Sequence, residues 1–280
     1  MILVDLNQVI ISNLMVGIKR SDINEDLIRH MVLNSLRGYK KKFGMKYGQI
    51  VVACDSKNYW RKDLFPFYKQ SRKKNREASA YDWNLIFNSI NKIRNEITEN
   101  LPYKVVHVEK CEADDIIAVL AKRHAPNEKI LILSSDKDFV QLQRYPNVEQ
   151  YSPRSKQFLK IDDPIAYIKE HIILGDSGDG IPNIKSPDNV FVDPNKRQSN
   201  IQRSKLPNWI SQDVNLWATN DMIRNYDRNK QLIDFEYIPD EYITQIVQSY
   251  EEAKTGTKGD LMNYFIKFKL KNLMTDLGDF

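Results

Sequence analysis

The sequence predicts an α/β protein, with a mostly parallel central sheet flanked by helices and a smaller helical C-terminal lobe. Two observations carry this. Three short runs, ILVD at 2–5, QIVVAC at 49–54 and KILILS at 129–134, have no polar face and read as strands buried in a parallel sheet. Between them lie segments of helical periodicity, so the order is mostly strand, helix, strand, helix.

Each element follows in turn. The start, MILVDLNQVII, is apolar and reads as a buried strand; it has no basic leader and no small-residue cleavage site. Residues 23–43 carry Ile23, Leu27 and Met31 and end in Arg37 to Lys42, cations that suit a helix C-terminus. A polar, basic stretch occupies 59–80. Ile86, Ile90, Ile93, Ile97 and Leu101 then recur at three- and four-residue spacing and mark an amphipathic helix. Residues 104–109 (KVVHVE) alternate like a strand, and 113–123 look helical. VEQYS and QFLKI, joined across PRSK, predict a hairpin. Asp163 and Pro164 open a helix over 164–174. Residues 185–210 are rich in Pro, Asn, Ser and cations and read as a long irregular connection. Helices follow, among them 240–252 and 259–273. The expected division is an α/β domain at 1–185, including the basic stretch, and a helical lobe at 186–280.

The chain has 280 residues, 41% hydrophobic and 28% charged, enough for a core and a soluble surface. No apolar run approaches the ~18 residues of a membrane span, so no membrane partner is expected. Two cysteines, Cys54 and Cys111, cannot build a structural zinc site alone and read as small buried side chains. The four histidines show no ligand spacing and read as scattered structural residues. Net charge is +5, and the charges are segregated: cations gather in one stretch, acids at strand ends.

Asp5 ends the first strand and Asp55 follows the second; Asp136 and Asp138 follow KILILS. Ligands of open α/β sheets bind outside the carboxyl ends of the strands, so these four acids should converge. Glu112, Asp114 and Asp115 open the helix after KVVHVEKC at the same edge, and Asp176 and Asp179 lie in GDSGDGIPN. Alone, a strand-end Asp is usually a cap or turn residue, and EADD a favourable helix start. Together they are another matter. Two like charges at ~4 Å repel by roughly 4 kcal/mol at an effective dielectric near 20. Such a cluster calls for cations, and an all-oxygen donor set favours magnesium or manganese, with two ions able to clamp both reacting oxygens of a phosphodiester. Glu112 and Asp114 can reach one metal only if Glu112 sits at the irregular start of the helix.

The stretch YWRKDLFPFYKQSRKKNR sets seven cations, Arg61, Lys62, Lys69, Arg72, Lys73, Lys74 and Arg76, against one acid, Asp63. Tyr59, Trp60, Phe65, Phe67 and Tyr68 are interleaved. The plain reading is a solvated helix; its position after a metal-ligand strand favours phosphate binding, with rings to stack on unpaired bases. Apart from Leu64, Phe65, Phe67 and Tyr68, little in 61–80 can bury itself, so the segment is expected to be mobile or loosely packed without substrate.

With VDLNQ, CDSKNYWRKDLFPFYKQSR, KCEADDIIAVL, ILSSDKDFVQL and GDSGDGIP in this order, the sequence resembles the flap-endonuclease-like 5′-nucleases, in particular their T-even-type bacteriophage ribonuclease H branch. The likeness extends to LIDFEYIPDEYITQIVQSY and NYFIKFKLKNL. It implies a PIN-like fold with a helical arch at 59–80. It implies a first metal site from Asp5, Asp55, Glu112, Asp114 and Asp136, and a second, more water-mediated one from Asp138, Asp176 and Asp179. Asp115 matches an acid that supports the site. Lys69 and Arg72 match cations that reach the scissile phosphate, and Tyr68 an aromatic that stacks on a displaced base. The implied activity is 5′-3′ exonuclease and flap endonuclease, with ribonuclease H action on RNA–DNA hybrids. It would use two Mg2+ ions, with Mn2+ as a substitute. The implied setting is primer removal in phage lagging-strand replication, by a monomer in the cytoplasm of an infected bacterium. A viral single-strand-binding protein or sliding clamp are the implied partners. One departure stands out: the family's glycine-rich helix–hairpin–helix turns are missing from GIPNIKSPDNVFVDPNK, and position 180 is Gly where Asn is common. A potassium site there, and a tight grip on distant duplex, are therefore not carried over.

Two other readings stay open. A haloacid-dehalogenase-type phosphatase also places Asp after its first strand, but the acid it needs two residues later is Asn7 here. A non-catalytic DNA-binding module explains the cations and not the acids.

Overall fold

The computed structural model describes residues 1–14, 22–274 and 277–280, except the side chains of 73–75. Six strands form one sheet: β1 Ile2–Asp5, β2 Ile50–Cys54, β3 Lys104–His107, β4 Ile130–Leu133, β5 Val148–Ser152 and β6 Gln157–Leu159, in spatial order β3-β2-β1-β4-β5-β6. All neighbouring pairs are parallel except β5–β6, the predicted hairpin. The chain builds outward from β1 to β2 and β3, then crosses back to β4 on the other side of β1. That reversal makes a crevice at the carboxyl ends of β1 and β4, where open α/β sheets bind ligands.

The ILVD run forms the first strand as the sequence predicts, and a helix follows it at once. β1 stops at Asp5, and Leu6–Leu14 is a helix, α1. The Asp5 carboxylate accepts the Gln8 N–H (2.9 Å), turning the chain as a helix cap does. Leu6, Val9, Ile10 and Leu14 are then buried at three- and four-residue spacing. The other helices are α2 Glu25–Tyr47, α3 Trp60–Leu64, α4 Gln70–Glu77, α5 Trp83–Asn100, α6 Ala113–His124, α7 Pro164–Leu174, α8 Leu206–Ser211, α9 Asn220–Ile233, α10 Asp240–Glu252, α11 Lys258–Lys267 and α12 Lys271–Met274.

The chain forms two compact units that do not follow the linear order expected from sequence. One comprises residues 1–57, 80–160 and 240–280; the other 58–79 and 161–239. The first holds the sheet. Ile2, Val4, Ile50, Val52, Leu131 and Leu133 pack with α1, α2, α5 and α11. Leu3, Val51 and Ile132 are also buried, and α6 packs on β1, β2 and β4. The sheet is thus covered on both faces, as its uniformly apolar strands require. Part of the predicted C-terminal lobe belongs here, with α10 packed against β3 and α6. Inside this unit Arg29, 1% exposed, donates through Nε and Nη2 to Glu96 (2.7 and 2.8 Å); Tyr264 also donates to Glu96 (2.8 Å). This polar knot ties α2, α5 and α11 together.

In the second unit the apolar residues at the start of the arch pack into a core. Phe65 and Tyr68 are buried with Ile168, Ile172, Ile181, Leu232 and Ile233, so α7, α9 and the segment after α3 share a core. The interleaved aromatics give the basic stretch an apolar side that its charges mask in the sequence. In the irregular 182–202 region, side chains supply the missing secondary-structure bonds. Asn229 Nδ2 and Arg228 Nη2 donate to the Pro182 carbonyl, and Asn225 Nδ2 to that of Ile184.

Candidate active site

In the sheet-bearing unit the acids line the carboxyl edge at the reversal point. Asp5 is the last residue of β1 and pairs in register with Ala53; Asp55 lies two residues beyond Ala53. Val4 pairs with Leu133, which places Asp136 and Asp138 just past the end of β4 on the other flank. Backbone groups and amides hold the acids in place. Asp55 accepts the Ala113 N–H at the start of α6 (2.7 Å) and the Asn7 amide. Asp136 accepts the Asp138 N–H (3.0 Å), and Gln8 Oε1 accepts the Ser135 N–H (2.7 Å).

Glu112 is the N-cap of α6, with extended backbone, and is buried. It therefore stands outside the regular helix, the condition under which it and Asp114 can serve one site. Asp115 is fully buried and accepts the Glu112 N–H (3.0 Å), so it fixes the helix entry. The donor set is entirely carboxylate oxygen, which fits a hard divalent cation better than a soft one.

In the second unit Asp176 and Asp179 sit in one tight turn. Asp176 Oδ1 accepts the N–H groups of Gly178 (2.7 Å) and Asp179 (3.2 Å). His171, on the last turn of α7, lies 3.5 Å from Asp176 Oδ2. Burial would raise the Asp176 pKa, but the His171 bond and those N–H groups outweigh it and hold the carboxyl below its ordinary value. The sequence reading of His171 as a scattered structural histidine leaves out this pairing; its place five residues before Asp176 across a helix end is the available signal. Gly175 and Gly180 have φ of 69° and 74°. A Cβ at Gly175 would lie 2.4 Å from the Ile181 carbonyl oxygen, so only glycine fits there.

Asp179 is the meeting point of three residues singled out from the sequence. Tyr68 donates to its Oδ2 (3.0 Å), Lys69 Nζ lies 3.4 Å from the same oxygen, and Arg72 Nη2 bonds Oδ1. The Lys69 N–H donates to the Asp179 carbonyl (2.7 Å). Both cations named from the sequence are therefore brought to one acid.

Other residues fall differently. Arg61 is 2% exposed and donates through Nε to the Leu232 carbonyl (2.8 Å); it is a buried strut and not a phosphate contact at the surface. Tyr68 is 3% exposed, and its ring packs in the core, so it presents no face to a displaced base. Lys62 is exposed and sits over the Tyr59 ring; Arg76 is half-buried. The side chains of Lys73 and Lys74 lie outside the described residues. Both cysteines are buried, and burial pushes the Cys54 thiol pKa up.

Comparison with known proteins defines the class. Residues 7–170 match the 5′-3′ exonuclease N-terminal, resolvase-like domain, and residues 163–280 match the C-terminal domain of T4 RNase H. The chain belongs to the 5′-3′ exonuclease family of nucleases. Among its relatives is the ribonuclease H of Enterobacteria phage T4, 35% identical over an alignment of 289 residues that covers 99% of this chain and 95% of that protein. A flap endonuclease Xni from Shewanella sp. (strain MR-4) is 32% identical over 134 residues, 45% of this chain and 48% of that one. Among solved structures, the T5 D15 protein co-crystallised with metal ions aligns with a TM-score of 0.64 at 16% identity, covering 96% of this chain and 98% of that one. The T5 5′-exonuclease with bound divalent zinc gives 0.63, also at 16% identity and with the same coverage. These likenesses establish the fold: a mostly parallel sheet of the PIN-like, 5′-nuclease type. No described helix is long and apolar enough to cross a membrane.

Proposed function

We propose that this nuclease is a two-metal-ion 5′-3′ exonuclease and flap endonuclease that also degrades the RNA of RNA–DNA hybrids. The observation that carries the reading is the placement of Asp5, Asp55 and Asp136 at the carboxyl ends of β1, β2 and β4, around the reversal of strand order. Asp5, Asp55, Glu112, Asp114 and Asp136 would hold one Mg2+, and Asp138, Asp176 and Asp179 a second, with Mn2+ able to replace it. Bound there, the ions would lower the pKa of water and neutralise charge on the phosphate. Asp115 orients Glu112 through its backbone. Lys69 and Arg72 stabilise the phosphate oxygens electrostatically. Lys62, Lys73, Lys74 and Arg76 add phosphate contacts along the arch.

The 35% identity to a phage ribonuclease H supports a role in removing RNA primers during phage replication, in the host cytoplasm. A viral single-strand-binding protein or a sliding clamp would be a partner in that role. End-labelled 5′-flap, nicked and RNA–DNA hybrid duplexes should all be cut in magnesium and not in EDTA. A protein that leaves all three intact in magnesium, or that instead traps phosphate on Asp5 as a phosphatase would, overturns this reading.

A further inference from the structure

The hairpin beside the acid edge carries a second set of cations. β5 ends at Ser152, and its hydroxyl lies 2.9 Å from that of Ser135, in the loop that bears Asp136 and Asp138. The Arg154 N–H donates to the same Ser135 hydroxyl (3.3 Å), and the Ser155 N–H to Ser152 Oγ (3.2 Å). Gln150, buried in β5, donates through its side chain to the carbonyls of Ser134 (2.9 Å) and Asp136. The 153–156 turn is thus bolted to the acid loop at several points, and both lie in the sheet-bearing unit.

What this turn displays is charge. Between Glu149 and Asp162 the sequence has three cations, Arg154, Lys156 and Lys160, and no acid. Arg154, Lys156 and the neighbouring Lys137 are exposed, and among the described residues none of the three forms an ion pair, although carboxylates stand a few residues away. Lys156 adopts a left-handed backbone, φ 55°, where glycine or asparagine fits with less strain. The lysine side chain at this left-handed position is exposed to solvent.

We propose that the β5–β6 turn is a phosphate-holding element: Arg154 and Lys156, with Lys137, bind the backbone of the nucleic-acid strand next to the phosphate directed at the acids. The inference rests on the nuclease reading and adds a contact surface separate from the arch. It offsets a physical problem of that reading, since a carboxylate edge repels a polyanion until cations cover it.

The test measures binding of a fluorescent 5′-flap DNA to the full chain in calcium, over a range of KCl. R154Q/K156Q should bind about tenfold more weakly near 0.1 M salt, with the slope of log Kd against log salt reduced by about 1.5. K254Q/K258Q removes the same charge from an exposed site on another part of the chain and should match wild type. K156G suits the left-handed backbone and should keep or raise Tm while still weakening binding, an outcome no purely structural role for Lys156 produces. If R154Q/K156Q and K254Q/K258Q bind alike, with equal salt slopes, the proposal is overturned. A wild type that binds in calcium and does not cut the same DNA in magnesium defeats the nuclease mechanism and leaves the turn's contribution measurable; one that binds no nucleic acid defeats both.

Discussion

Replacing Asp179 by asparagine separates two things that this residue does. The second-metal assignment makes it a ligand, yet its carboxylate is engaged by Arg72 on Oδ1 and by Tyr68 and Lys69 on Oδ2. A phosphate that recruits Lys69 and Arg72 must draw both away from Asp179. The Lys69 and Asp179 side chains are 10% and 13% exposed, but that of Arg72 is 47% exposed, so its pairing is heavily screened. An exposed pairing such as that of Arg72 contributes about 0.2–1 kcal/mol, and releasing the largely buried Lys69 adds to it, so the two together oppose phosphate binding by at least about 1 kcal/mol. The amide introduced by D179N keeps an oxygen to accept the Tyr68 hydroxyl while removing the charge. In EDTA, where no metal role is active, D179N should bind 5′-flap DNA about fivefold more tightly than wild type by fluorescence anisotropy. In magnesium the same variant should cut more slowly. Unchanged or weaker binding in EDTA would refute the competition between Asp179 and phosphate for these cations.

The remaining expectations are quickly stated. D136N should abolish cleavage in magnesium while DNA binding in calcium persists, because losing an acid cannot weaken attraction for a polyanion; full activity would remove Asp136 from the metal set. E96A leaves the buried Arg29 charge with only Glu25 and Asp26, and should cost about 3 kcal/mol, lowering Tm by about 6–12 °C; a shift under about 2 °C would show that the knot contributes little. R61Q should lose about 1–3 kcal/mol of stability through the Leu232 carbonyl yet leave the salt dependence of DNA binding unchanged. A slope lowered by about 0.9 would return Arg61 to the phosphate contacts.

Much of this protein was legible in one dimension because its signals are local. Strands buried on both faces must be apolar throughout, so ILVD, QIVVAC and KILILS declared themselves, and Asp5, Asp55 and Asp136 stood out as charges at their ends. The helix over 164–174 announced itself through Asp163, which accepts the N–H groups of Ile165 and Ala166, and through Pro164 at its first position. Even the hairpin was readable, since alternation flanks a short polar turn.

Other features depend on what lies far along the chain. Arg61 and Arg72 are both arginines in one basic run, and nothing local says that Arg61 finds the Leu232 carbonyl, 171 residues on, while Arg72 reaches the Gly178–Asp179 turn. Charge density reports the mean of a segment; burial is decided residue by residue by what packs against it. The same holds for the compact units. Residues 58–79 join 161–239, and 240–280 return to the sheet, because hydrophobic contact is blind to sequence order. Composition and periodicity determined which residues could carry the chemistry; only tertiary structure decided which cations were already occupied, Lys69 and Arg72 by Asp179, and which, at Arg154 and Lys156, were left facing solvent beside the acids.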